Sequence, residues 1–151
     1  HVWELGLDYQ VPLGDQFALA ASAAYVTASA DPITQRQDIE SWSLGAQATR
    51  GPLTLGAAFV SRGQSNSLVR TLDEEEWNAG VAWRASRWGV AASAARTRSA
   101  QGENRLIGAG GYYELNAFWV ARADVVSIRE EDARGRARDG MVALAEISFR
   151  F

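Results

Sequence analysis

The segment that most constrains this chain is Met141-Val142-Ala143-Leu144-Ala145-Glu146-Ile147-Ser148-Phe149-Arg150-Phe151. Counting back from Phe151, the residues Phe149, Ile147, Ala145, Ala143 and Met141 fall on one face. Arg150, Ser148 and Glu146 fall on the other, with Leu144 and Val142 toward the start. A period of two resolves into two faces only on a strand, because a helix would spread the same residues around its circumference. Alternation alone leaves the solvent open, since a soluble strand with one apolar face follows the same rule.

The same pattern recurs upstream. Trp3, Leu5, Leu7, Tyr9 and Val11 alternate with Glu4, Gly6, Asp8 and Gln10. Phe17, Leu19, Ala21, Ala23 and Tyr25 follow a short turn at Leu13–Gln16. After a polar connection around residues 29–38 come Trp42, Leu44, Ala46 and Ala48, then a tight turn at Arg50-Gly51-Pro52 and the run Leu53, Leu55, Ala57 and Phe59. An irregular segment spans about residues 62–75. Beyond it Trp77, Ala79, Val81 and Trp83 lead through a turn at 85–87 to Trp88, Val90, Ala92 and Ala94. The residues around 101–104 read as a loop before Ile107, Ala109, Gly111, Tyr113 and Leu115. A turn near Asn116 gives Trp119, Ala121, Ala123 and Val125, and Ser127 closes that apolar face. The charged stretch 129–140 reads as a solvated loop ahead of the last strand. This makes about nine antiparallel strands of roughly 10 to 14 residues, and no helix.

Strands of that length exceed the usual 5 to 6 residues of globular sheets and suit a tilted bilayer crossing. Aromatic residues gather at strand ends, whereas mid-strand positions are mostly Ala, Leu and Val. A soluble core would place its largest side chains in the middle, where burial is deepest. Two aromatic belts bounding an apolar band describe a lipid-facing wall. Composition permits this: 47% hydrophobic and 22% charged residues suit a wall with one polar face, and no apolar run is long enough for a transmembrane helix.

With its alternating last strand and final Phe, the chain resembles bacterial outer-membrane β-barrels, and among them Gram-negative porins. The resemblance implies an all-β, antiparallel, up-and-down transmembrane barrel. It implies residence in the bacterial outer membrane, contact with its lipid and lipopolysaccharide, and a homotrimer. It also implies recognition of Ile147, Phe149 and Phe151 by the barrel-assembly machinery, and passive diffusion of small hydrophilic solutes and ions.

Connection lengths alternate: short near residues 14, 51, 86 and 116, longer near 33, 68, 102 and 135. If short turns are periplasmic, the first strand starts outside, and an even-stranded barrel then needs more strands than these. At about 17 residues per strand and connection, a barrel of about 16 strands needs about 270 residues. The expectation is therefore that residues 1–151 form a single β-barrel domain that is the C-terminal part of a longer barrel.

The expected pore lining is Glu4, Asp8, Gln10, Gln47, Asn78, Arg84, Arg105, Glu114, Arg122, Asp124, Glu146 and Arg150. Porins of about 16 strands hold a water channel, whereas eight-stranded barrels are filled by side chains. The same residues would thus form a plugged polar core in a small structural or adhesive barrel. A soluble barrel binding an apolar ligand is the third reading.

Other chemistry finds little support. The only His is His1, in no motif, and cysteine is absent, so no His-centred constellation or metal-ligand spacing points to catalysis or a cofactor. Asp73-Glu74-Glu75-Glu76 lacks the spaced ligands and Gly of a calcium loop and reads as a solvated segment. Gly108-Ala109-Gly110-Gly111 lies inside a strand with no helix after it, which speaks for close packing rather than dinucleotide binding. A net charge of −3 offers no basic stripe for nucleic acid.

Overall fold

A computed structural model describes residues 2–14, 16–29, 38–63 and 73–149. They form nine strands: β1 (Val2–Pro12), β2 (Phe17–Ala28), β3 (Ile39–Arg50), β4 (Leu53–Gly63), β5 (Glu74–Arg84), β6 (Trp88–Ser99), β7 (Gly102–Glu114), β8 (Trp119–Asp132) and β9 (Ala137–Phe149). Each pairs antiparallel with the next, in the order β1 to β9, so β1 and β9 are the sheet edges. No described residue is helical. The expected connections near 33 and 68 lie outside the described residues.

Register divides the side chains into two sets. One row runs Leu44, Phe59, Trp77, Arg96, Arg105 and Arg129 across β3 to β8. A parallel row on the same face runs Ala21, Ala46, Ala57, Ala79, Ala94 and Ile107. This apolar face is not covered. Trp3 and Leu5 are each 73% exposed and Ile147 68%, and Ala28 and Val120 are the only buried hydrophobic residues among those described. A water-soluble sandwich would bury this face against a second layer. Here the sheet has no second layer, and lipid is the solvent that suits the apolar face.

Three corrections concern the far rim. The connection expected as a loop around 101–104 is a two-residue turn, since β6 ends at Ser99 and β7 begins at Gly102. The charged stretch 129–140 is also strand for most of its length, with only residues 133–136 between β8 and β9. Polarity did not end β8 and β9 because opposite charges face each other between them: Arg129 opposes Asp139 and Glu130 opposes Arg138 in the ladder. Likewise Glu74, Glu75 and Glu76, expected in a solvated loop, begin β5.

Glycine closes both tips. Gly102 has φ +138° and Gly135 φ +76°, values that side chains rarely adopt. At the β8–β9 tip, Asp132 Oδ1 accepts from the amides of Arg134 (2.9 Å) and Arg136 (3.0 Å), and Oδ2 takes the Arg136 guanidinium at 2.7 Å. At the opposite rim Asn116 Oδ1 accepts from the amides of Phe118 and Trp119, forming the compact turn its side chain favours.

Candidate functional site

The face opposite the apolar one carries small and polar residues. Its centre is a trough of about 850 Å³ on β1 to β6. Asp8, Gln10, Gln47 and Asn78 reach it together, along with Ser22, Thr54 and Ser93. Alanine and glycine make the floor, at Ala20, Gly45, Gly56, Ala58, Gly80 and Ala91. Small residues here follow from geometry: a wall that curves around this face leaves less room for its side chains than for those outside.

A second concavity lies over β6 to β8 and includes Arg122 and Asp124. Gly110 is opposite Asp124, and a Cβ at Gly110 would overlap the Asp124 carboxylate. Gly89 is opposite Tyr112, whose ring occupies the space a Cβ would need. Within the run that resembles a nucleotide fingerprint, Gly110 is thus a place where a neighbouring carboxylate lies against the sheet, and Gly111 one where the backbone of Gly89 comes close. Arg122 faces Glu146 across β8 and β9 at 3.7 Å, both about half exposed.

Glu4 lies on the same face of β1 as Asp8, nearer the rim that carries the longer connections. Arg84 and Glu114 lie on that face too, near the short-turn rim. Arg150 and Phe151 lie outside the described residues. Ile147 and Phe149 are on the apolar face, where Phe149 meets Trp119 (5.0 Å) and stacks on Phe118 (6.0 Å).

Arg105 is a correction. It was expected on the polar face, yet it shares the face of Ile107 and Ala109, because β7 runs unbroken from Gly102 and parity is kept. Charge is tolerated there because Arg105 stands past the apolar band, with an ion pair to Glu103.

Several polar-face residues escaped the sequence reading. Arg62 binds Glu74 at 2.5 Å and Glu76 at 3.3 Å. A bulge between Ser61 and Gly63 places Arg62 toward those carboxylates. Glu130 and Arg138 were missed because their segment was read as a loop. The detectable signal was the acidic block 130–132 followed by Arg134, Arg136 and Arg138, an order that lets a hairpin set opposite charges face to face.

Among the described residues no group of His, Cys, Asp and Glu has metal-binding geometry. No buried polar side-chain atom among the described residues lacks a partner.

One uncovered apolar face bounded by aromatics, one polar concave face, and nine long antiparallel strands in sequence order define a transmembrane β-barrel wall. The chain belongs to the Gram-negative porin family, whose model matches residues 1–133. Its location is the bacterial outer membrane. Its fold is similar to the crystal structure of a doubly substituted OccD1 (OprD), with TM-score 0.68 and 11% identity, over 99% of this chain and 52% of that one. The chain therefore spans about half the length of the structure it matches. No curated protein matches it.

Proposed function

We propose that this wall encloses, with further strands, a water-filled channel that passes small hydrophilic solutes and ions across the outer membrane by passive diffusion. The observation that carries the reading is the polar trough backed by an exposed apolar face, in a chain of the porin family. On this reading the complete barrel has about 16 strands, of which residues 1–151 form the C-terminal part. The rim with the turns near residues 14, 51, 86 and 116 is periplasmic.

Glu4, Asp8, Gln10, Gln47, Asn78, Arg84, Glu114, Arg122, Asp124, Glu146 and Arg150 line the pore, and no residue is a reaction centre. Ile147, Phe149 and Phe151 present the terminal strand to the assembly machinery. Ala and Gly on part of the outer wall admit close contact in a homotrimer.

The test is conductance of the complete protein in a planar bilayer. Discrete open steps support the channel. A protein that is folded, as judged by a heat-dependent shift on a denaturing gel, but does not conduct would be a plugged structural barrel instead.

A further inference from the structure

The face that carries the trough is not polar all the way round the wall. Three neighbouring rows of the ladder show where it changes. One begins at Gln47 on β3 and ends at Val126 and Val142 on β8 and β9. The next begins at Asn78 on β5 and reaches Leu106 and Ile128 on β7 and β8. The third begins at Thr54 on β4 and reaches Asp124 and Leu144 on β8 and β9. The polar starts of these rows belong to the first trough. Their far ends make a strip of five aliphatic side chains with one carboxylate among them.

Among the described residues no second layer covers the strip, and Val142 and Leu144 are 58% and 61% exposed. Because β9 is a sheet edge, a further strand beside it would flank these side chains without covering them. Aliphatic surface facing water gains from a partner that brings apolar area of its own.

Asp124 decides which partner. It stands opposite Gly110 on one side and Leu144 on the other. It lines a concavity of about 340 Å³ that also takes in Gly108, Gly110, Tyr112 and Val126, room enough for a ring or a short alkyl chain. Arg122, on the same face of β8, is answered by Glu146 at 3.7 Å. Arg122, Asp124 and Glu146 together carry one net negative formal charge, and Arg84 and Glu114 toward the rim cancel each other in that sum. An anion is therefore repelled. A neutral apolar molecule leaves the carboxylate unanswered, and a small hydrophilic cation leaves the strip wet. A cation that carries an apolar group answers both.

We propose that Asp124 and the strip of Leu106, Val126, Ile128, Val142 and Leu144 form a binding station in the lumen for organic cations that bear an apolar group. Such a solute sets its charged end against Asp124 and its apolar end against the aliphatic side chains, of which Val126, Val142 and Leu144 stand nearest in the ladder. The inference rests on this face lining a water-filled channel, and it names a class of solute that the channel retains in passing.

The test uses the complete protein in a planar bilayer at about 0.1 M potassium chloride, where charges act over about 10 Å. Phenethylammonium, ethanolammonium and phenylpropanoate are added in turn. Phenethylammonium is expected to halve the current at a concentration about tenfold below either of the others. In D124N its lead over phenylpropanoate shrinks about threefold or more. In V126T/V142T, which keeps the β-branched shape, its lead over ethanolammonium shrinks by a similar factor. A channel that conducts, yet is blocked by ethanolammonium or phenylpropanoate as strongly as by phenethylammonium, overturns the station and leaves the channel standing. So does a conducting variant of either kind that keeps the full preference, because the binding then lies elsewhere. A current indifferent to all three probes would mean that another segment of the complete chain covers the strip, and it overturns the station as well. A folded protein that passes no current overturns the channel reading and the station with it.

Discussion

Single residues at the hairpin tips hold conformations that chemistry restricts. Gly102 has φ +138°, and a Cβ there would run into the backbone carbonyl of Glu131 on the neighbouring strand. A carbonyl in a ladder cannot swing aside as a long side chain would. Gly102→Ala is expected to cost about 1–3 kcal/mol through backbone strain. Gly140 is the control, since it has an ordinary φ and nothing within 4 Å of an added Cβ. Gly140→Ala should leave stability unchanged within about 0.5 kcal/mol. The temperature at which the folded gel band converts to the unfolded one measures both. Equal transition temperatures for the two variants would mean that the tip relaxes freely and that Gly102 carries no constraint.

Among elements, β8 and β9 show how a hairpin outlasts its apolar face. Asp132 closes the turn that joins them, beyond the apolar band and outside the membrane-spanning stretch. The amide and guanidinium of Arg136, and then the amide of Arg134, hold its carboxyl below the ordinary value of 3.8. A carboxyl whose pKa falls on folding stabilises the turn fully above its unfolded pKa. That contribution is lost as pH drops through the lower folded value. Protection of the Arg134 and Arg136 amides from hydrogen exchange, corrected for intrinsic rates, should therefore be constant near neutrality and fall once pH passes below about 3.8. In Asp132→Asn that step should vanish. A step of the same size in the variant would place the titrating group elsewhere.

The same hairpin marks the limit of what alternation reveals. The strands flanking the apolar band were legible because Leu, Val and Trp recur at every second position. Past the band both faces meet water or headgroups, so hydropathy no longer alternates, and a charged strand resembles a charged loop. What continued the ladder was the opposition of Arg129 to Asp139 and of Glu130 to Arg138. Such pairing is visible only once the register is known. Arg105 differs: its place two residues before Ile107 already sets it on the apolar face, and only its charge suggests the polar one. Asp8, Gln47 and Asn78 were found because each sits between apolar neighbours on a clean strand. Their convergence on one trough depended on the order of strands.

For the whole molecule, the two faces differ in charge as well as polarity. The rims of the apolar face balance their signs: Arg96, Arg98, Arg105 and Arg129 stand with Glu75, Glu103, Glu131 and Asp139. On the opposite face carboxylates outnumber guanidiniums among the described residues. Glu4, Asp8, Glu74, Glu76, Glu114, Asp124, Glu130 and Glu146 are answered by Arg62, Arg84, Arg122 and Arg138. If this face lines a channel, the excess raises the local concentration of cations and repels anions, as charged rings do in narrow pores. The reversal potential across a potassium chloride gradient should therefore show a cation preference. That preference should weaken at 1 M salt, where the screening length drops to about 3 Å. Asp8 lies in the first trough and Asp124 in the second, so the pair samples both concavities. The double variant D8N/D124N should reduce the cation preference by roughly a factor of two at about 0.1 M salt while leaving a folded, conducting protein. An unchanged reversal potential would show that charges on other strands or loops set the selectivity, and an anion preference in the unaltered protein would show that they reverse it.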